Sequence, residues 1–210
     1  MGIFEKLGPQ HLDLFKEIGN IGAGNTATSL SMMMNSKVEI SVPSAKVIPI
    51  AKIPMLFEDP EEIVAGVRMG IEGDMEGYLL FVIDSAGAKK ILKKLLGTSP
   101  EDMTELDPMS TSALSEIGNI VCGSYLMAFS GFTGMSVNGK VPELIVDMIT
   151  AIISETSISV MSEEDYILIV ETDIIIEGEE KIRGFLMFLP EPEALLKVIS
   201  KMGMGIEDGE

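Results

Sequence analysis

The chain has 210 residues, 46% of them hydrophobic, and its 15 Lys and Arg against 33 Asp and Glu give a formal charge of −18. That length suits one large domain or two small ones with a sizeable core, and the apolar content excludes a disordered chain. The acidic excess argues against nucleic acid as a partner and disfavours anionic lipid, because both are gripped by Lys and Arg.

No apolar run approaches the ~20 residues that a membrane span needs; the best candidate, Leu144 to Ile153, is interrupted by Asp147 and Thr150. Glu5 and Lys6 break up the N-terminus, so no secretory signal is expected. The one cysteine, Cys122, excludes an internal disulfide and multi-thiolate metal sites, and the one histidine, His11, excludes two-histidine metal sites. A reduced, cytoplasmic setting is expected, with chemistry resting on carboxylates, amides and hydroxyls.

In chain order, a long helix is expected first, from Pro9 to about Met34, with proline suited to its first turn and Asn35 to its exit. Val38 to Val42 alternates as a strand, and Ile63 to Ile71 with Gly77 to Ile83 reads as a hairpin turning at Glu72-Gly73-Asp74. A shorter helix follows from Ser85 to Leu96, stopped by Gly97. After a polar linker, Asp107-Pro108 opens a second long helix ending near Gly131. Leu144 to Ile153, Tyr166 to Glu177 and Gly184 to Leu189 are then expected as strands, and Glu193 to Met202 as a closing helix. Residues 203–210 are expected to fray.

That order is helix, three strands, helix, twice. The repetition is visible in the residues. Glu17-Ile-Gly-Asn-Ile21 recurs as Glu116-Ile-Gly-Asn-Ile120, an offset of 116 − 17 = 99, and Val42-Pro43 aligns with Val141-Pro142 at the same offset. Gly77-Tyr-Leu-Leu-Phe-Val resembles Gly184-Phe-Leu-Met-Phe-Leu at 184 − 77 = 107, so the second copy carries 107 − 99 = 8 extra residues, placed around Ser162 to Asp165 and Glu177 to Lys181. The expected fold class is α+β, a single domain of two pseudo-twofold halves, about 9–97 and about 107–202, with the strands in one sheet or two half-sheets.

Asp13, Glu17 and Asn20 fall within roughly 60° on one face of the first helix, and Ser112, Glu116 and Asn119 do the same on the second. Gly24 and Ser31, and then Gly123 and Ser130, continue those faces. Leu14, Phe15, Ile18 and Ile21, with Leu114, Ile117 and Val121, are the expected core positions. A solvated stripe tolerates any polar residue, yet Glu and Asn recur in register while their neighbours diverge, as in Lys16 against Ser115. Asn is a poor helix-interior residue, so its recurrence points to a role. Gly22-Ala-Gly24-Asn-Thr-Ala27 fits a loose dinucleotide pattern but lies inside a helical period, not after a strand, and is rejected. The methionines read as core filling, Cys122 as a buried hydrophobe and His11 as an exposed first-turn residue.

Asp13-x-x-x-Glu17-x-x-Asn20 followed after 22 residues by Pro43 resembles the signature of the CheC/CheX/FliY phosphatases of bacterial chemotaxis, and Ser112-x-x-x-Glu116-x-x-Asn119 with Pro142 repeats it. The resemblance runs from about Gln10 to Met202. Two intact motifs with no residues left for a flagellar-switch domain fit the CheC-like pattern, not the single-motif CheX pattern or the extended FliY one. The resemblance implies a phosphatase acting on the phosphoaspartate of the response regulator CheY, binding also to the receptor deamidase CheD. It implies that Asn20 and Asn119 position the attacking water while Glu17 and Glu116 pair with the receiver's lysine. Asp13 and Ser112 would orient the Glu or touch the docked partner, Pro43 and Pro142 would shape the strand end below each site, and by helix geometry Gly24 and Gly123 leave docking room for a partner's backbone. No metal or cofactor is expected on this chain, since a receiver brings its own Mg²⁺. A monomer is expected, the duplication supplying its own twofold interface. Asp147 is a candidate CheD contact, with a strand-edge charge that blocks aggregation as the alternative. The main alternative function is a non-enzymatic adaptor that sequesters phosphorylated CheY or CheD.

Overall fold

The computed structural model describes residues 4, 7–59, 61–159 and 166–203. Ser162 to Asp165 and the end of the expected frayed tail lie outside them. The first half runs α1 (Pro9–Met34), β1 (Val38–Ser41), β2 (Ala45–Pro49), a 3₁₀ segment (Ile50–Leu56), β3 (Ile63–Gly73), β4 (Gly77–Asp84) and α2 (Ser85–Leu96). The second runs α3 (Pro108–Thr133), β5 (Val137–Gly139), β6 (Glu143–Met148), α4 (Ile149–Ser159), β7 (Tyr166–Ile176), β8 (Ile182–Pro190) and α5 (Pro192–Lys201).

The strands form one eight-stranded sheet in the order β1-β7-β8-β4-β3-β5, with β2 also on β7 and β6 also on β3. Exchanging β1–β4 for β5–β8 reverses this order onto itself. The β4·β8 ladder is centred on Leu80 opposite Met187, a separation of 187 − 80 = 107 that equals the offset between Gly77 and Gly184. The short strands of each half pair with the long hairpin of the other half, so neither half closes its own sheet.

The central strands are buried on both faces, with side chains alternating at period two. Leu79, Phe81, Leu168, Val170, Leu186 and Phe188 point to the layer of α1, α2, α3 and α5. Leu80, Val82, Ile167, Ile169, Phe185 and Met187 point to the opposite layer, covered by the 3₁₀ segment and α4.

The structure revises several expectations. Each half has four strands, not three. β2 is masked by Pro43, two residues before it, and by Pro49, its last residue, but an edge position tolerates them. Leu144 to Ile153 is not one strand: β6 stops at Met148 and α4 begins. Ile149, Ile152, Ile153 and Thr156 are all buried, at i, i+3, i+4 and i+7, so the run carries a helical period that its uniform apolarity masked. The second long helix continues to Thr133, capped by Gly134 at φ 66°. Val42 and Val141 are aligned in sequence but not in environment, at 4% and 91% exposure.

The termini of the long helices follow their residues. Asp107 accepts from the backbone N–H groups of Met109 and Ser110 at 2.8 and 3.1 Å. Those bonds and the Ser110 hydroxyl hold its carboxyl below the usual aspartate range, the hydroxyl contributing most. At α1 the cap is inverted: the Gly8 N–H donates to His11 Nδ1 at 3.0 Å. His11 is buried, at 1% exposure, and not the surface residue expected.

Glycines in and just after the repeated motif let α1 and α3 approach their neighbours. A Cβ on Gly118 would lie 2.2 Å from Val67 Cβ, and one on Gly22 would lie 3.0 Å from the Tyr125 ring and 3.1 Å from its Cα. Neither obstacle is the end of a flexible chain. Gly118→Ala is therefore expected to destabilise the fold by about 1–3 kcal/mol, with a smaller loss for Gly22→Ala, measured by urea denaturation. Unchanged midpoints for both would contradict this packing.

Candidate functional site

Asp13, Glu17, Asn20 and Gly24 are all exposed on the outward face of α1. Ser112 and Glu116 are exposed on α3, and Asn119 and Gly123 half-buried beside them. The intervening residues turn inward: Ile18 and Ile117 are 4% and 1% exposed, and Gly19 and Gly118 are buried against the sheet. Within Glu-Ile-Gly-Asn, two positions thus anchor the helix and two face solvent. Ile21 departs from the expected core set, at 41% exposure next to Asn20.

In α3 the Asn119 amide Nδ2 donates to Glu116 Oε2 at 3.3 Å. With its NH₂ held by the acid, Asn119 keeps its carbonyl oxygen as an acceptor for a ligand or water. Among the described residues Glu17 and Asn20 share no such bond. A Cβ at Gly24 or Gly123 would meet nothing within 4 Å. The expected face ends there. The Ser31 hydroxyl donates to Ala27 O at 2.7 Å and accepts from the Val38 N–H at 2.9 Å, tying the helix end to β1. Ser130 likewise donates to Met135 O.

Beneath the first pair, Gly19 rests on Val42 and Val170, which sets exposed Pro43 next to the motif turn. Ser44 donates to Glu171 Oε2 at 2.7 Å and Lys46 to Oε1 at 2.6 Å, fixing that strand end on β7. Pro142 precedes β6, whose Glu143 lies opposite Arg68, the neighbour of the Val67 that receives Gly118. Asp147 stands exposed in β6 opposite Val64, away from both acid–amide pairs in the fold, and its Oδ1 accepts from the Met148 N–H at 2.7 Å.

A cavity lined by Phe15, Ile18, Met75, Tyr125, Phe129 and Phe188 lies under the two helices and is apolar. The Tyr125 hydroxyl meets Thr172 Oγ1 at 3.3 Å, and burial pushes its pKa up to about 12. Cys122 is wholly buried and its thiol likewise pushed up to about 12 by desolvation, so it carries no thiolate chemistry near neutral pH. Among the described residues no three of His, Cys, Asp and Glu gather as metal ligands would, and no helix is long and apolar enough to cross a membrane.

The fold and its two solvent-facing acid–amide pairs define an α+β domain whose conspicuous polar groups are presented on helix surfaces and not in a cleft. The Chemotaxis phosphatase CheX family model matches residues 65–162, and the CheC-like family model residues 11–47. The CheY-P phosphatase CheC of Bacillus subtilis is 30% identical over 98% of this chain and 100% of its own length. The CheY-P phosphatase CheX of Thermotoga maritima is 30% identical over 52% of this chain and 71% of its own. Among solved structures, Thermotoga maritima FliY superposes with a TM-score of 0.74 at 24% identity, covering 94% of this chain and 98% of that one. The chain belongs to the CheC family.

Gly24 and Gly123 sit in helix interiors with open space around them, where Gly costs about 0.8–1 kcal/mol relative to Ala. Gly24→Ala and Gly123→Ala are each expected to raise the melting temperature, measured by circular dichroism. A fall would mean that the outward faces of α1 and α3 are packed against something.

Proposed function

We propose that this chain is a phosphatase that hydrolyses the phosphoaspartate of the response regulator CheY. The single observation that carries the reading is the duplication, on two outward helix faces, of Glu17–Asn20 as Glu116–Asn119. The full-length similarity to a CheY-P phosphatase supports it.

The chemistry asked of the chain is modest. Phosphoaspartate is a reactive acyl phosphate, so holding a water in line with phosphorus supplies much of the acceleration. The water oxygen forms the new bond to phosphorus, the bond to the aspartyl oxygen breaks, and inorganic phosphate and the free carboxylate result. Asn20 and Asn119 would accept a hydrogen bond from that water through their carbonyl oxygens. Glu17 and Glu116 would pair with the lysine beside the receiver's phosphoryl group and so fix the docking register. Mg²⁺ would come with the receiver, whose acidic pocket holds it. Asp13 and Ser112 would touch the partner near each Glu, and the open surface at Gly24 and Gly123 would admit its backbone.

Binding to CheD is the second part of the reading. Asp147 is an exposed carboxylate at the point where β6 gives way to α4. An exposed charge of this kind suits the polar rim of a protein interface.

Phosphate release from phosphorylated CheY with Mg²⁺ present tests the first part. Asn20→Ala/Asn119→Ala is expected to lose the acceleration, by roughly 10²-fold or more if water positioning is the main contribution, while each single variant keeps part of it. A double variant as active as wild type would refute the assignment, and binding without acceleration by the wild-type chain would favour the adaptor reading. Asp147→Lys is expected to abolish CheD binding in a pull-down and leave phosphate release unchanged; normal CheD binding by that variant would remove Asp147 from the interface.

A further inference from the structure

The two acid–amide faces share one geometry and differ in what surrounds it. At the 99-residue offset, Gln10 is replaced by Met109, Asp13 by Ser112, Lys16 by Ser115 and Thr28 by Met127. Met109 and Met127 are each 66% exposed. Met109 lies seven residues before Glu116 and Met127 eight beyond Asn119. All four fall within about 80° of one another around the axis and span about 27 Å along it. Exposed methionines thus bracket the second pair on its own face. On the first helix the two corresponding positions, Gln10 and Thr28, are polar, Thr28 donating its hydroxyl to Gly24 O at 3.1 Å, and the exposed apolar side chain there is Ile21, one turn beyond Glu17. Charge there is instead dense: Asp13, Lys16 and Glu17 lie within five residues, and Lys16 forms no ion pair among the described residues.

We propose that the two sites grip the receiver domain by different forces: the α3 site by apolar contact through Met109 and Met127, and the α1 site by charge through Asp13 and Lys16. This rests on the phosphatase reading above and deepens it. Methionine is suited to such contact, because its unbranched, polarisable side chain moulds to a partner surface. Charge pairs at a solvent-exposed rim weaken with ionic strength, whereas apolar burial does not. The consequence is a protein whose two sites respond differently to the same medium.

Steady-state phosphate release by Asn119→Ala, which leaves the α1 site, and by Asn20→Ala, which leaves the α3 site, reads the difference. Raising salt from about 20 mM to about 500 mM should raise KM several-fold more for the α1 site than for the α3 site, because both share the Glu–lysine pair and only the α1 site adds Asp13 and Lys16. Met109→Gln/Met127→Gln should raise KM of the α3 site roughly five- to tenfold, through lost apolar contact, with kcat kept. The same pair in the α1-only background should leave KM unaltered. Circular dichroism melts establish that these variants are folded. Equal salt responses at the two sites, or an unchanged α3-site KM in the methionine variant, would overturn the proposal. Full activity in Asn20→Ala/Asn119→Ala would instead overturn the phosphatase reading on which it rests.

Discussion

The close seating of α1 and α3 on the sheet is the constraint from which the rest follows. Gly118 has Val67 where a side chain would be, Gly19 has Val42 and Val170, and Gly22 has Tyr125. With those contacts made, the rotation of each helix is fixed, because Ile18 and Ile117 must enter the core one residue earlier. Glu and Asn, at the remaining positions of the same short motif, then have no option but solvent. The motif is thus both a packing device and a display device. A shift of one residue in one direction would bury the acid, and a shift in the other would expose the isoleucine.

The sheet makes this display depend on both halves. β1 and β2 complete β7, and β5 and β6 complete β3, so the floor beneath each motif helix is assembled from strands of both halves. The pairing of β4 with β8 about Leu80 and Met187 joins the hairpins into a continuous, doubly buried centre. This explains why the long strands read as unbroken apolar runs and not as alternating ones. It also explains how so acidic a chain holds together. Its carboxylates are spread over the surface, and a few are tied to partners, as Glu171 is to Ser44 and Lys46.

Much of this was legible in the residues. Pro9, Asp107-Pro108 and Gly97 marked helix ends by local chemistry alone, and the hairpin strands announced themselves by composition. The outward position of Asp13, Glu17 and Asn20 followed from helical spacing. What was not legible had tertiary causes. The helical period of α4 lay inside a run in which almost every residue is apolar, so only burial distinguishes its two faces. His11 is buried and its Nδ1 accepts from the Gly8 N–H, a third-position role that Glu or Gln usually signals. Ile21 is exposed because it lies one turn beyond Glu17 on the outward side of the helix, which its hydrophobicity concealed. The methionines divide between core and surface, with Met32, Met55, Met109 and Met127 between 66% and 75% exposed. No feature of composition separates a filling methionine from a presented one.

The central claim is that the outward faces of the motif helices, and not the opposite layer of the sheet, meet the receiver. The exposed methionines report on it, because Met109 and Met127 lie on α3 whereas Met55 lies on the 3₁₀ segment of the opposite layer. The most direct measurement is the NMR spectrum of the chain labelled with ¹³C at its methionine methyls, titrated with CheY held in its phosphorylated form by beryllofluoride. The account predicts shifts at Met109 and Met127, with Met55 unmoved. Shifts confined to Met55 would contradict it and place the receiver on the other side of the molecule.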